Sequence, residues 1–174
     1  MTLFKDRYRV ETARLRGWNY AQQGVYFVTI CTKGRAHWFG EIRRGIMGLS
    51  GVGCIVNAFW ESIPEHFPHV SLDAFVVMPN HVHGILMLER APPIANFTAP
   101  MSRIHRPIPG SIGSIIGQWK TTCTKRIWSL GCTDFGWQPR FHDSVVQTDH
   151  ALENIRSYIQ NNPRMWERDR NYVH

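Results

Sequence analysis

The sequence predicts an α+β domain in which one antiparallel sheet carries two helices on one face. Four apolar segments have the composition of buried strands, and three other segments repeat apolar residues at helical spacing. Their order along the chain is strand, helix, strand, strand, helix, strand, helix. This order matches the split β-α-β arrangement of ferredoxin-like domains, with a third helix added at the end.

The first strand is predicted at residues 25–32, which are rich in branched and aromatic side chains. Residues 38–47 contain two short apolar segments around a pair of arginines, which indicates a side hairpin. Ser50 is suited to cap the first helix, and Pro64 and Pro68 are expected to end it.

The next two strands are predicted at residues 70–77 and 81–88, joined by a Pro-Asn turn. Because side chains alternate between the faces of a strand, His81 and His83 are expected to share one face. Two imidazoles on one face of a strand form half of a metal site. About 0.5 such pairs are expected by chance in a chain with nine histidines, so the pair is a weak signal alone.

The second half of the chain begins with residues 91–109, which hold five of the ten prolines and are predicted to form a long flexible loop. Ser111 is expected to cap the second helix. Residues 137–146 are predicted to form the last strand, at a sheet edge because a proline lies near its start. Thr148 is expected to cap the third helix, and Pro163 to end it.

Composition indicates a folded protein, with 43% hydrophobic and 19% charged residues. No apolar segment approaches the ~20 residues of a membrane span, and the N-terminus lacks the apolar core of a signal peptide. The four cysteines form no Cys-x-x-Cys pair, which is typical of reduced thiols. We therefore expect no membrane partner and a cytoplasmic location.

A net charge of +7 favours a polyanionic partner, most often nucleic acid. One domain is predicted over residues 1–174, with a basic arm at 1–20 and a tail at 163–174. The arm contacts phosphates in one interpretation and is a solvated terminus in the other. The basic residues predicted to contact DNA are Arg14, Arg16, Lys33, Arg35, Lys120 and Arg140.

The third helix carries Tyr158 and Asn162, which are four residues apart and therefore project from the same side. If this helix docks over the histidine pair, the amide oxygen can be a third metal ligand and the phenol a nucleophile beside the metal. The alternative for Tyr158 is an ordinary position at the rim of the core.

Five segments together carry a more specific signal than the histidine pair: residues 26–32, 77–84, 113–120, 137–141 and 155–163. In these segments the sequence resembles the REP-associated tyrosine transposases, which are single-tyrosine HUH transposases. The family pattern differs at Ser144, where a histidine is usual, and at Gln147, where an arginine is usual.

The resemblance implies that His81, His83 and Asn162 bind Mg²⁺ or Mn²⁺ and that Tyr158 is the nucleophile. It also implies a single-stranded DNA substrate, at a hairpin, which is cleaved through a 5′-phosphotyrosine intermediate. The sequence names no base for the tyrosine and leaves both a monomer and a homodimer open.

Two other functions remain open from the sequence. The triplets His69-Val70-Ser71 and His142-Asp143-Ser144 are the pair that a metal-free two-histidine phosphoesterase uses. A ferredoxin-like module that binds single strands without cutting them is the second alternative.

Overall fold

The computed structural model describes residues 22–89 and 108–172, together with the backbone of two short paired strands, β1 (Leu3–Phe4) and β2 (Tyr8–Arg9). Arg14, Arg16 and nearly all of the proline-rich segment 91–109 lie outside the described residues. Their assignment as arm and loop, like the single-domain boundary, stays a prediction.

A four-stranded antiparallel sheet forms the centre of the molecule. Its strands are β3 (Gly24–Cys31), β6 (Val70–Met78), β7 (His81–Leu88) and β8 (His142–Val146), in the order β6-β7-β3-β8. This order is that of a ferredoxin-like sheet, so the predicted fold class is confirmed.

The last strand is shorter than predicted. It begins at His142 rather than near residue 137, and Trp137 makes only an isolated bridge to Thr32. Pro139 lacks the N–H that a continuous ladder would require, so pairing restarts after it. The predicted edge position of this strand is correct.

Four helices and a side hairpin complete the described elements. They are α1 (Gly51–Glu61), α2 (Ile63–His66), α3 (Ile112–Ser129), α4 (Asp149–Asn161), and the hairpin of β4 (Gly40–Arg43) and β5 (Ile46–Leu49). Two 3₁₀ helices span Lys33–Arg35 and Asn162–Arg168. None of the helices in the described ranges is both long and apolar enough to cross a membrane.

The predicted helix starts are correct. Ser50, Ser111 and Thr148 each accept a hydrogen bond from the backbone N–H three residues later. Pro64 does not end α1, which stops at Glu61; it lies in the first turn of the short α2. Proline is tolerated there because the first turn of a helix needs no N–H from it.

Helices α1 and α3 cover one face of the sheet. The ring of Trp60 stacks on Phe75 at 4.4 Å and meets Trp119 edge-on at 5.4 Å. A Cβ on Gly84 would lie 2.3 Å from the Trp60 ring, so only glycine allows this helix to approach β7 so closely. The hydrophobic core is thus built on this face of the sheet.

Helix α4 lies on the opposite face. Arg156 donates to both carboxylate oxygens of Asp73 on β6, which ties the helix to the outer strand. Further along α4, the ring of Tyr158 meets Phe27 of β3 edge-on at 6.2 Å. The helix therefore crosses the face that carries the two histidines.

Candidate active site

His81 and His83 begin strand β7 and project from the face opposite the core. Their partners on β3 are Cys31 and Thr29, and both imidazoles are buried, at 0% and 1% exposure. The two Nε2 atoms are 3.0 Å apart. Strand periodicity alone predicted the shared face, and the structure confirms it.

Hydrogen bonds at the Nδ1 atoms orient both rings. Nδ1 of His83 lies 2.9 Å from the Thr29 hydroxyl, and Nδ1 of His81 lies 2.8 Å from Oδ1 of Asn80. With Nδ1–H donating to these oxygens, both Nε2 atoms keep a lone pair that is available to a metal ion.

Both histidines are held in the neutral form that binds metals. Burial lowers the pKa of His81 to about 3, with a contribution from the neighbouring His83 ring. Burial also lowers the pKa of His83. The imidazoles therefore carry no charge at neutral pH.

Tyr158 reaches this pair from α4. Its hydroxyl lies 3.1 Å from Nε2 of His83 and donates to Oδ2 of Asp169 at 3.2 Å, while 42% of the residue remains exposed. Burial and the negative charge of Asp169 raise the pKa of Tyr158 to about 12. The phenol is therefore protonated at neutral pH.

Asn162 lies one turn after Tyr158, at the first position of the second 3₁₀ helix, and is 2% exposed. Its Nδ2 donates to Oδ2 of Asp169 at 3.1 Å. Its Oδ1 is buried and meets no hydrogen-bond donor within the described ranges. A buried amide oxygen of this kind is a suitable ligand for a hard divalent cation.

Asp169 is a member of the site that the sequence did not reveal. Its side chain is buried, and Oδ2 lies 3.9 Å from Nε2 of His83. Burial alone would raise the pKa of this carboxyl, but the interaction with His83 and the N–H of Asn171 outweigh it and hold the pKa well below its usual range. Asp169 follows the last predicted helix, where no periodicity indicates the direction of a side chain.

The segment after α4, predicted as a tail, covers the histidines. The carbonyl of Asn171 accepts from Nδ2 of Asn80 at 2.9 Å, and the carbonyl of Arg170 accepts from Arg35 at 2.9 Å. Trp166 packs on the His81 ring at 5.9 Å. These contacts explain why both imidazoles are buried and why Asp169 reaches them.

Other predicted residues lie in different places. Arg35 contacts the covering segment, and Lys120 donates to the carbonyl of Gln138 at 2.6 Å. Lys33 and Arg140 are exposed. Ser144, opposite Phe27 on β8, lies on the face of His83, so the departure from the family pattern borders the site.

The triplets of the two-histidine phosphoesterase alternative are not brought together. His69 directly precedes β6 and His142 begins β8, and these strands form opposite edges of the sheet. Three strand spacings of ~4.8 Å separate the edges, so the two histidines cannot act on one phosphate.

The site as a whole places a phenol beside groups that can hold a cation. The ligand atoms of His81, His83 and Asp169 all lie within 4.8 Å of one another. One chain supplies all of these groups together with Tyr158 and Asn162.

Comparison with known proteins adds information on the family and the fold. No protein-family model matches the chain. An uncharacterised protein of Haemophilus influenzae is 36% identical over 166 residues, which cover 92% of this chain and 91% of that protein.

Two solved structures are similar. A REP-associated tyrosine transposase bound to a REP hairpin superposes with a TM-score of 0.58 at 17% identity, over 89% of this chain and 74% of that chain. A candidate transposase from Deinococcus radiodurans gives a TM-score of 0.47 at 18% identity, over 86% of this chain and 97% of that chain. The first similarity establishes the fold, and the second is too weak to support an argument.

Proposed function

Because the chain belongs to one family with the Haemophilus influenzae protein and has the fold of a REP-associated tyrosine transposase, we propose that it is a metal-dependent endonuclease and strand transferase of single-stranded DNA. One observation carries this proposal. The Tyr158 hydroxyl lies 3.1 Å from Nε2 of His83, which lies 3.0 Å from Nε2 of His81. A phenol and two imidazoles from distant parts of the chain thus converge as tyrosine-based DNA cleavage requires.

In this proposal, His81, His83, Asn162 and Asp169 would hold a divalent cation, Mg²⁺ or Mn²⁺. The two Nε2 atoms are 3.0 Å apart, close enough for both to bind one ion. Two imidazoles alone favour softer metals, whereas a carboxylate and an amide oxygen suit Mg²⁺ and Mn²⁺. When bound, the ion would supply Lewis acidity and neutralise charge on the scissile phosphate.

In the proposed reaction, Tyr158 is the nucleophile. Its oxygen forms a bond to phosphorus while the bond from phosphorus to the 3′ oxygen breaks, giving a 5′-phosphotyrosine and a free 3′-hydroxyl. The phenol proton passes to solvent, to which 42% of Tyr158 is exposed, and the 3′ oxygen gains a proton from solvent. A 3′-hydroxyl from the same or another strand reverses the step, so no nucleotide cofactor is needed.

The DNA partner is proposed to be a hairpin with an unpaired stretch. The net charge of +7 supports a polyanion, and the similar transposase was solved with a REP hairpin. Lys33, Arg35, Lys120 and Arg140 are the proposed contacts among the described residues, and Arg14 and Arg16 are proposed for the arm. With such a DNA substrate, the proposed location of the protein is the bacterial cytoplasm.

The test is incubation of labelled hairpin DNA with the full chain and Mn²⁺, followed by a denaturing gel. A protein–DNA species that survives denaturation is expected with the natural chain and is expected to be absent with Tyr158→Phe or with a chelator. Tyr158→Phe should still bind the DNA. An adduct with the Phe variant would mean that the nucleophile is misassigned, and binding without cleavage by the natural chain would favour the non-catalytic module.

A further inference from the structure

A groove separate from the histidine pair runs between α3 and residues 136–141 and encloses about 610 Å³. Gly113 and Gly117 of α3 line it without side chains. Lys120 and Lys125 supply positive charge along the same helix, and Trp128 contributes an aromatic wall. None of the described residues that line the groove is acidic.

The aromatic rings of the groove are held in fixed positions. The indole N–H of Trp128 donates to the carbonyl of Phe135 at 2.9 Å, although half of the residue is exposed. The indole N–H of Trp137 donates to the carbonyl of Lys120 at 3.2 Å. Fixed aromatic faces beside lysines are the combination that binds unpaired nucleotides, since bases stack on the rings and phosphates contact the cations.

The groove is connected to the candidate active site by a short path of contacts. Nζ of Lys120 donates to the carbonyl of Gln138 at 2.6 Å, and the N–H of Gln138 donates to the carbonyl of Cys31 at 2.9 Å. Cys31 pairs with His81 in the sheet. The end of the groove at Lys120 is therefore near the end of the sheet where the histidines lie. Because α3 and the histidines occupy opposite faces of the sheet, a strand that leaves the groove at Lys120 reaches Tyr158 by passing around this end.

We propose that this groove, lined by α3 and residues 136–141, holds the unpaired DNA next to the hairpin stem and directs it to Tyr158. Its bases lie against the tryptophan rings and its phosphates against Lys120 and Lys125. This inference rests on the proposed function, because it assigns a binding site to the same substrate.

Gly117 offers a direct test by steric block. A Cβ at this position meets no atom within 4 Å, and Gly117 lines the groove, so a side chain added here begins in open space and extends into the groove. Gly117→Leu also replaces a poor helix former by a good one, and a Tm no lower than that of the natural chain would show that loss of binding is not due to unfolding. The matched controls are Gly117→Ala, which barely fills the groove, and Thr122→Leu, which adds leucine on an exposed part of α3 outside it.

Binding is measured by fluorescence anisotropy without divalent ions, on a hairpin with a randomised unpaired tail and on the same hairpin without the tail. Gly117→Leu is expected to weaken binding of the tailed hairpin by about 5- to 150-fold, the equivalent of ~1–3 kcal/mol for a stacked base. Binding of the blunt hairpin should not change. Both controls should bind either DNA as the natural chain does.

A second pair of variants tests the charge. Lys125 lines the groove, whereas its neighbour Arg126 does not. Lys125→Ala is expected to reduce the slope of log affinity against log salt by about 0.7 for the tailed hairpin, as loss of one single-strand phosphate contact does. Arg126→Ala should leave the slope unchanged.

The outcomes separate the groove from the proposed function. If the natural chain forms the adduct with Mn²⁺ but Gly117→Leu binds the tailed hairpin normally, the groove assignment is wrong and the function stands. If the tail binds in the groove but no adduct forms under any metal, the groove assignment stands and the endonuclease proposal fails. If the natural chain does not prefer the tailed hairpin, the groove assignment is overturned.

Discussion

Gly84 directly follows the histidine pair, and its replacement by alanine is expected to destabilise the protein. The new methyl carbon would lie 2.3 Å and 2.7 Å from two ring carbons of Trp60 and 3.1 Å from Phe75. The Trp60 ring cannot move aside, because it is buried between Phe75 and Trp119. Either β7 or α1 must shift to relieve the overlap.

The size of the stability loss in Gly84→Ala follows from the overpacking of the core. Adding atoms to a packed core costs ~1–3 kcal/mol, offset by ~0.4–1 kcal/mol because alanine restricts the unfolded chain more than glycine does. The net loss is ~0–2.6 kcal/mol, and the 2.3 Å contact with a packed ring favours the upper half of that range, which corresponds to a fall in Tm of roughly 3–10 °C for a domain of this size. A shift of β7 would also move His83, so adduct formation should fall as well.

The assay is thermal and urea unfolding of the natural chain, Gly84→Ala and Gly117→Ala. The last is the matched control, since the same change at Gly117 meets open space on a helix and should raise stability by up to ~1 kcal/mol. Opposite signs for the two glycines are the expected result. If Gly84→Ala equals or exceeds the natural chain in stability, then Trp60 does not approach β7 as described and the account of this face is refuted.

Three further outcomes are expected. His81→Ala should abolish adduct formation at every Mn²⁺ concentration while hairpin binding without metal persists; cleavage restored by excess Mn²⁺ would exclude His81 as an essential ligand. Asp169→Asn should lower the pKa of Tyr158 from about 12, since a negative charge is removed, and an unchanged value in ultraviolet titration against Tyr158→Phe would contradict this. Asp73→Asn should lower Tm at pH 7, because the hydrogen bond from Arg156 lowers the pKa of Asp73 below its ordinary value of 3.8. That stabilisation is fully present above the ordinary pKa and is lost as pH falls through the lowered one. The Tm difference between the two proteins should therefore begin to shrink below pH 3.8 and vanish only below the lowered pKa, and a constant difference would argue against the ion pair.

The sequence alone predicted the features that depend only on neighbouring residues. The helix caps at Ser50, Ser111 and Thr148 depend on a hydroxyl three residues before a free N–H, which is a short-range property. The shared face of His81 and His83 depends only on the two-residue period of a strand. These features were therefore predictable without any knowledge of tertiary contacts.

Two features near the candidate active site could be identified only from the folded structure. Residues 137–141 have a strand-like composition, but Pro139 delays pairing and the segment forms a wall of the groove instead. Asp169 lies beyond the last predicted element, so nothing in the sequence separates it from the other acidic residues.

The sequence by itself determined the order of strands and helices, the helix starts, and the side of β7 on which the histidines lie, because neighbouring residues control these properties. Only the tertiary structure decided that α4 crosses the face of the sheet that carries the histidines and that Tyr158 meets His83. It also decided that the segment after α4 folds back and places Asp169 beside His83. Those contacts join residues that are at least 75 positions apart in the chain. Their geometry depends on how whole elements pack, which no local pattern encodes.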